Sequence, residues 1–144
     1  QPSNYLKNKI ESFNRPIIYN EIQIEDLLQR KSNESIKLEK IANKKVYLFS
    51  ALGDNKSFKK IMDNTGAEIV GHSKYLDHHH YTLDDLKDIE QKATKCNAEF
   101  LVTTEKDLVK INFQYNKFYI YAVRMKMLFK PENLFSEYIE DLLS

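Results

Sequence analysis

One stretch decides the fold of this chain: Val46-Tyr47-Leu48-Phe49-Ser50-Ala51-Leu52, a near-continuous apolar run. Such a run is typical of a strand that other elements cover on both faces. The turn-forming residues Gly53-Asp54-Asn55 come directly after it. They predict the end of the strand and, with Asp54 or Asn55 as the cap, a helix from Lys56 to Asn64. The stretch therefore indicates a buried strand that leads into a helix.

The same alternation of apolar runs and helical stripes continues along the chain. Thr82 and Asp85 have the spacing of a capping box, which predicts a helix that ends near Asn97. A last helix is predicted to follow Pro131. Further strands are predicted at Ala67–Val70, Phe100–Val102 and Phe118–Val123. Strands that alternate with helices predict an α/β fold with a mostly parallel sheet and helices on both faces.

The first 45 residues follow a different pattern. A rough helical stripe covers residues 5–13, and residues 17–24 alternate like a half-exposed strand. Residues 30–45 are mainly polar and are predicted to be a connector. We therefore predict two segments, an N-terminal helix and strand connector over residues 1–45 and an α/β lobe over residues 46–144. In the last helix, the apolar residues expected to face inward are Leu134, Phe135, Tyr138, Ile139 and Leu142.

Composition narrows the class of protein. A length of 144 residues, with 42% apolar and 30% charged residues, is typical of one soluble globular domain. The net charge of +1 gives no electrostatic case for nucleic-acid binding. The single cysteine, Cys96, allows no disulfide within the chain, which fits a reducing compartment. No apolar run is long enough to span a bilayer. Because the chain begins with Gln1 rather than Met, we expect it to be part of a longer protein or a processed product.

Ionisable residues are concentrated where predicted strands end. The run Asp77-His78-His79-His80 lies in the loop after the second core strand, and a second cluster, Thr103 to Asp107, follows the third. Ligands of α/β proteins bind beyond the carboxyl ends of the strands, so both clusters are predicted to form one site. A carboxylate such as Asp77 can orient an adjacent imidazole such as His78 for proton transfer. The alternative is a surface loop in which histidines are merely adjacent.

At two of the predicted strand ends, the residues are compatible with either a ligand site or an ordinary turn. Thr103 and Thr104 could cap a helical turn, predicted over Asp107–Ile111, whose N–H groups face an anion contacted by Lys106. The same residues could form an ordinary capped turn in which Glu105 and Asp107 favour the positive end of the helix. After the first core strand, Gly53 allows either close approach of a ligand or only a tight turn.

Several other kinds of site are disfavoured. Consecutive residues of an extended chain point to opposite faces, so the three adjacent histidines do not easily converge on one metal ion. His72 is the only other histidine, and the sequence offers no spaced set of zinc ligands. The chain contains neither a G-x-x-x-x-G-K-[ST] nor a G-x-G-x-x-G motif. It also has no Ser or Cys in the context of a nucleophile elbow.

Four segments in order carry a resemblance to a known family. They are FSALGDNKSF (residues 49–58), GAEIVG (residues 66–71), DHHHYT (residues 77–82) and TTEKD (residues 103–107). They resemble the A-G-I-G-N-P-x-x-F, G-A-x-V, D-H-x-x-[YF]-[ST] and [TM]-T-E-K-D motifs in the C-terminal half of tetraacyldisaccharide 4′-kinases, the lipid A kinases of Gram-negative bacteria. The resemblance covers roughly residues 46–112. Asp54 and Lys56 depart from the usual Asn-Pro spacing of the first motif.

The resemblance implies a P-loop kinase of two α/β lobes, of which this chain is the C-terminal one. ATP and Mg²⁺ would bind mainly to the N-terminal lobe, with no cofactor expected in this chain alone. The acceptor would be the 4′-hydroxyl of a lipid A disaccharide 1-phosphate precursor at the cytoplasmic face of the inner membrane. His78 matches the family's catalytic histidine, and Asp77 would orient its loop. The residues expected to line or shape the cleft are Gly53, Asp54, Asn55, Thr104, Glu105, Lys106 and Asp107.

Two other functions compete with this interpretation. A free-standing binding module could use the strand-end site for a phosphorylated sugar or a nucleotide without catalysing a reaction. A small hydrolase could use Asp77 and His78 to activate water, but the sequence offers no nucleophile, oxyanion device or metal set for it. If the kinase interpretation holds, the 144-residue chain alone is expected to be inactive, because the Walker A lysine and the magnesium ligands would lie outside it.

Overall fold

The structure, a computed structural model, describes residues 19–113, 118–130 and 132–144. The helix predicted over residues 5–13 lies outside these residues. The strands are β1 (Tyr19–Gln29), β2 (Ser35–Ile36), β3 (Lys45–Ser50), β4 (Glu68–Lys74), β5 (Phe100–Thr104) and β6 (Ile120–Lys130). The helices are α1 (Asn55–Asp63), α2 (Leu83–Lys95), α3 (Glu105–Leu108) and α4 (Glu132–Leu143), and a short 3-10 helix covers Leu38–Lys40.

The strands form one sheet in the order β2-β1-β6-β5-β3-β4. Strand β3 runs parallel to both β4 and β5, and β5 runs parallel to β6, whereas β1 and β2 are antiparallel. The prediction of a mostly parallel sheet is therefore confirmed. Because β5, β3 and β4 are parallel neighbours, their carboxyl ends lie side by side at one edge of the sheet.

Strand β3 is covered on both faces, as its apolar run predicts. Its odd-numbered residues Tyr47 and Phe49 pack in one buried cluster with Leu86, Ile89 and Ala93 of α2. Its even-numbered residues Val46 and Leu48 pack in a second cluster with Phe58 and Met62 of α1. Successive side chains of a strand point to opposite faces, so consecutive apolar residues pack in two separate hydrophobic clusters. Helices thus lie on both faces of the sheet, as predicted.

The chain divides into two compact units, Ile24–Met125 and a smaller unit of Gln1–Gln23 with Lys126–Ser144. In the smaller unit, Ile139 and Leu142 of α4 are 38% and 64% exposed, so the prediction that both face inward is wrong. Helical spacing identifies an apolar face but not whether another element covers it. Leu134, Phe135 and Tyr138 are outside the residues whose side chains the structure describes.

Strand β5 and the turn after it differ from their predicted bounds. The strand extends through Thr104, because Thr103 and Thr104 pair with Ala122 and Val123 of β6. The hydroxyl of Thr103 also donates a hydrogen bond to the Phe49 carbonyl of β3 at 2.7 Å. The helical turn predicted over Asp107–Ile111 instead begins at Glu105, with Thr104 as its cap. The side chain of Thr104 accepts the Asp107 N–H at 3.2 Å. Threonine is common in strands and at helix caps alike, so its type alone does not mark the boundary.

A buried carboxylate joins the ends of β3 and β5. Asp107 is fully buried, and its Oδ2 atom accepts hydrogen bonds from the Ala51 N–H at 3.1 Å and the Thr104 hydroxyl at 2.9 Å. The ammonium of Lys110 lies 3.5 Å from the other oxygen. Since the carboxylate has a partner on each oxygen, its burial is compensated. This contact holds the chain beyond β3 against the turn beyond β5.

We predict that Asp107→Asn lowers the free energy of unfolding by roughly 2–4 kcal/mol, because the amide oxygen can still accept the Ala51 N–H but the NH2 group then faces Lys110 and leaves that ammonium without its charge partner. Urea unfolding of both proteins measures the difference. Asp63→Asn is the matched control, since it removes an exposed ion pair with Lys59 and should cost less than about 1 kcal/mol. Equal unfolding midpoints for the Asp107 and Asp63 variants would contradict the role of Asp107.

A second polar chain joins β3, β4 and the beginning of α1. The Ser50 hydroxyl lies 2.6 Å from Asn55 Oδ1 and 2.6 Å from His72 Nε2, while the Asn55 amide donates to the Leu52 carbonyl at 3.0 Å. A hydroxyl has one proton, which Asn55 Oδ1 receives, so His72 Nε2 is the donor to Ser50. The buried Nδ1 atom of His72 has no hydrogen-bond partner within the described part of the chain.

Burial, together with the nearby charges of Lys74 and Lys59, lowers the pKa of His72 to about 4. In the unfolded chain the same imidazole has its ordinary pKa of about 6.5. Between these values only the unfolded chain binds the extra proton, so stability falls as the pH drops from about 6.5 to about 4.

We predict that protonation of His72 in the unfolded chain lowers the free energy of unfolding by on the order of 1–3 kcal/mol at pH 4 relative to pH 7. His72→Gln should abolish this loss of stability, because glutamine does not titrate and the other histidines are unchanged. Urea unfolding of both proteins between pH 7 and pH 4 measures the difference in slope. The same pH dependence in both proteins would show that His72 is not the group responsible.

Candidate functional site

Three of the predicted strand-end residues meet at one edge of the sheet. Asp77 follows β4, Gly53 follows β3 and Lys106 follows β5. The Lys106 ammonium lies 3.3 Å from Asp77 Oδ1. A Cβ atom placed on Gly53 would lie 3.7 Å from Asp77 Oδ2, so the glycine backbone passes close to the carboxylate. The adjacent parallel strands thus bring residues from three separate segments around the Asp77 carboxylate.

His78 occupies an uncommon backbone position in the turn beyond β4. The His79 N–H donates to the Leu76 carbonyl at 3.1 Å, which closes a four-residue turn with Asp77 and His78 at its centre. His78 has φ of +64°, in the left-handed region, which is uncommon for residues other than glycine, although asparagine, aspartate and histidine adopt it more often than the rest. A non-glycine residue held there costs on the order of 1 kcal/mol or more and is found disproportionately at functional sites.

This backbone conformation presents the His78 ring to solvent. The side chain is 83% exposed, and its Nε2 atom lies 3.7 Å from Asp77 Oδ2. Oδ1 of Asp77 accepts the His78 backbone N–H at 3.0 Å. The same carboxylate therefore holds the turn by one oxygen and faces the imidazole with the other. Such a pair can take up a proton from a ligand hydroxyl that approaches the exposed ring.

Lys106 lowers the pKa of this carboxylate. The hydrogen bond from Lys106 is the main cause that lowers the pKa of Asp77, desolvation opposes the lowering, and the nearby His78 adds to it. An aspartate with a pKa below its ordinary value is a carboxylate at neutral pH. It accepts hydrogen bonds from the Lys106 ammonium and from the His78 backbone N–H.

The other residues predicted around the site separate into exposed and buried groups. Glu105 and Lys106 lie at the surface of α3, whereas Thr104 and Asp107 are buried beneath them. The buried pair cannot contact a ligand directly, and it shapes the edge by holding the turn in place. In the turn after β3, Asp54 caps α1 by accepting the Ser57 N–H at 3.0 Å, and Asn55 is engaged with Ser50.

Below the turn lies a group of aromatic rings that sequence reasoning did not assign to the site. Tyr81 is buried and packs edge to face against Phe49 of β3 with ring centroids 5.5 Å apart. Its phenol oxygen has no hydrogen-bond partner of ordinary geometry among the described residues. Burial, and then the negative charge of Asp107, raise the pKa of Tyr81. Tyr81 matches the fifth position, [YF], of the D-H-x-x-[YF]-[ST] motif, where either aromatic side chain fits, and this tolerance is the sequence signal of a packing role.

Two kinds of feature are missing from the described residues. Within residues 19–113, 118–130 and 132–144, no group of three His, Cys, Asp or Glu side chains is arranged to hold a metal ion. In the same ranges, no helix has the length and apolar character needed to cross a membrane.

Known proteins are similar to this chain in sequence and in fold. At 33% identity over 103 residues, it matches a tetraacyldisaccharide 4′-kinase of Bdellovibrio bacteriovorus, covering 72% of this chain and 30% of that protein. A tetraacyldisaccharide 4′-kinase of Syntrophus aciditrophicus is 36% identical over 85 residues, which cover 59% of this chain and 23% of that protein. The chain thus spans less than a third of the length of these relatives.

The fold is similar to that of a solved structure, LpxK from Aquifex aeolicus in complex with ATP. The TM-score is 0.58 at 22% identity, and the match covers 90% of this chain and 37% of the other. The sequence profile of the tetraacyldisaccharide-1-P 4′-kinase family matches residues 2–144, which is nearly the whole chain. The chain therefore belongs to the tetraacyldisaccharide-1-phosphate 4′-kinase family.

Proposed function

We propose that the complete protein transfers the γ-phosphate of ATP to the 4′-hydroxyl of a lipid A disaccharide 1-phosphate precursor, and that this chain is its C-terminal lobe. The observation that carries the proposal is the exposed His78, held in a left-handed conformation beside an ionised Asp77 at the carboxyl edge of the sheet. Membership of the family supplies the reaction, because each relative described above is a tetraacyldisaccharide 4′-kinase.

In this proposal His78 is the general base. Its imidazole takes the proton of the 4′-hydroxyl while that oxygen bonds to the γ-phosphorus and the bond to the bridging oxygen of ADP breaks. Asp77 stabilises the imidazolium that results. Phosphoryl transfer depends mainly on positioning and charge stabilisation, which suits a rigid turn with one exposed base.

ATP and Mg²⁺ do not fit the residues of this chain. The sequence has no phosphate-binding glycine loop, and the described residues contain no group of three metal-ligating side chains. We therefore expect both to bind mainly to the part of the protein that this chain does not include, with His78 supplied to the acceptor from this chain. The complete protein would act at the cytoplasmic face of the inner membrane, where its lipid substrate is presented.

The His78→Asn variant of the complete gene product tests the proposal. Asparagine tolerates a left-handed φ but cannot act as a base near neutral pH, so the fold should be kept while kcat falls by about 10²–10⁴-fold. Turnover of the tetraacyldisaccharide 1-phosphate with ATP is the measurement. His80→Asn, at an exposed position of the same loop, is the matched control and should keep the parent kcat.

Full activity of the His78→Asn variant would contradict the catalytic role of His78. Steady turnover by the 144-residue chain alone would contradict the proposal that ATP and Mg²⁺ bind mainly outside this chain. Binding of a phosphorylated sugar by the complete protein, without turnover, would favour the binding-module alternative instead.

Lys106 allows a separate test of the electrostatics. We predict that Lys106→Met raises the pKa of Asp77 towards its ordinary value, because the hydrogen bond from Lys106 is the main cause of the lowered pKa. A carboxyl-carbon NMR titration of Asp77 measures this directly. Lys59→Met, which removes the exposed pair with Asp63 on α1, is the control and should leave the Asp77 titration unchanged.

The same variant should also lower kcat/KM for the lipid substrate by roughly tenfold, since a carboxylate that has lost its partner no longer holds the turn as firmly. An unchanged Asp77 titration in Lys106→Met would show that the 3.3 Å contact contributes nothing in solution.

A further inference from the structure

The three adjacent histidines of the DHHHYT segment do not share one environment. His78 and His80 are exposed, whereas the ring of His79 between them is largely covered, with 30% of its side chain accessible. The covered histidine is not one that the family resemblance singles out. Its surroundings therefore indicate what it does for the turn that presents His78.

The ring of His79 is part of an aromatic cluster that reaches the core. It stacks on Tyr75 with ring centroids 4.5 Å apart and planes 21° apart. It also packs edge to face against Tyr81 at 5.4 Å, and Tyr81 in turn packs against Phe49 of β3. Each of these contacts has the offset-stacked or edge-to-face geometry that aromatic rings prefer. The turn is thereby connected through two rings to the centre of the sheet.

A hydrogen bond joins the same ring to the beginning of α2. The Nε2 atom of His79 lies 2.9 Å from Asp85 Oδ2, and that oxygen also accepts the Thr82 N–H at 2.8 Å within the capping box. Burial opposes the charge of Asp85, but the bonds from Thr82 and His79 outweigh it and lower its pKa. Because the carboxylate is an acceptor, the Nε2 atom of His79 carries a hydrogen and donates it to this bond.

Both connections act on the strained part of the turn. The backbone N–H of His79 closes the turn on Leu76, and His78 at its centre has φ of +64°. A left-handed histidine persists only where its surroundings leave the backbone no alternative. The ring of His79 supplies that restraint from the residue next to His78, by way of the core on one side and α2 on the other.

We propose that His79 is a positioning residue, whose ring, held by Tyr75, Tyr81 and Asp85, fixes the turn that presents His78 to the substrate. The proposal rests on the proposed role of His78 as the base. It assigns to His79 no contact with the substrate and no proton transfer.

The test uses the complete gene product with His79→Ala, which removes both the ring contacts and the hydrogen bond. Amide hydrogen exchange in residues 76–80 should become at least about tenfold faster, because the turn opens more often. The kcat for the lipid acceptor should fall by about tenfold or more through misplacement of His78, while KM for ATP stays the same. A residue that only stabilised the fold would not separate kcat from KM in this way.

Two partial variants make the result specific. His79→Phe keeps the stacked ring and loses the bond to Asp85, and His79→Gln keeps a donor and loses the ring. Both should lie between the parent protein and His79→Ala in exchange rate and in kcat. His79→Phe also keeps the test decisive if the alanine variant does not fold. His80→Ala is the matched control, and it should change neither quantity.

Unchanged exchange in residues 76–80 of His79→Ala would overturn the proposal, as would faster exchange with an unchanged kcat. A fully active His78→Asn variant is a different failure, because it removes the proposed function of His78. In that event the exchange rates of the His79 variants alone decide whether this ring orders the turn.

Discussion

The buried carboxylate of Asp107 is the contact on which the carboxyl edge of the sheet depends. Backbone hydrogen bonds pair β3 with β5 along the strands, but this pairing ends before the residues that form the site. Beyond the strands, the Ala51 N–H would be left without a partner if Asp107 did not accept it. The carboxylate replaces the missing ladder bond, and its bond from Thr104 fixes the turn on which Lys106 lies.

From this support the site is built in layers of decreasing burial. Asp107, Thr104 and Tyr81 are buried, His79 is largely covered, and Asp77, Lys106 and His78 are exposed. The strain at His78 is thereby carried by residues whose own positions are fixed. This arrangement places a reactive side chain on a loop while the backbone under it remains tied to the sheet, as functional constellations generally require.

Features that depend on neighbouring residues were predictable from the sequence. The capping box of Thr82 and Asp85 has both of its reciprocal bonds, because it needs only a spacing of three residues. The two-sided burial of β3 followed from an unbroken apolar run. The motifs also led to the family, although the roles of the site residues stay predictions.

Features that depend on distant partners were not predictable in this way. The extension of β5 to Thr104 depends on pairing with β6, and the burial of Asp107 depends on Ala51, 56 positions earlier in the chain. Three identical residues in a row carry no local signal for the covered position of His79. The strand order, in which β6 lies between β1 and β5, likewise reflects tertiary packing that no single segment encodes.

The separation of the site residues along the chain has a consequence for synthesis on the ribosome. Residues up to the end of α2 can pair β3 with β4 and pack one helix on each face of β3 before β5 has emerged. Lys106 and Asp107 arrive later, so a nascent chain that stops short of them has the turn that carries His78 but not its supporting charges. Because domains fold largely in the order in which they are synthesised, the edge that carries His78 is completed only as the final third of the chain is added.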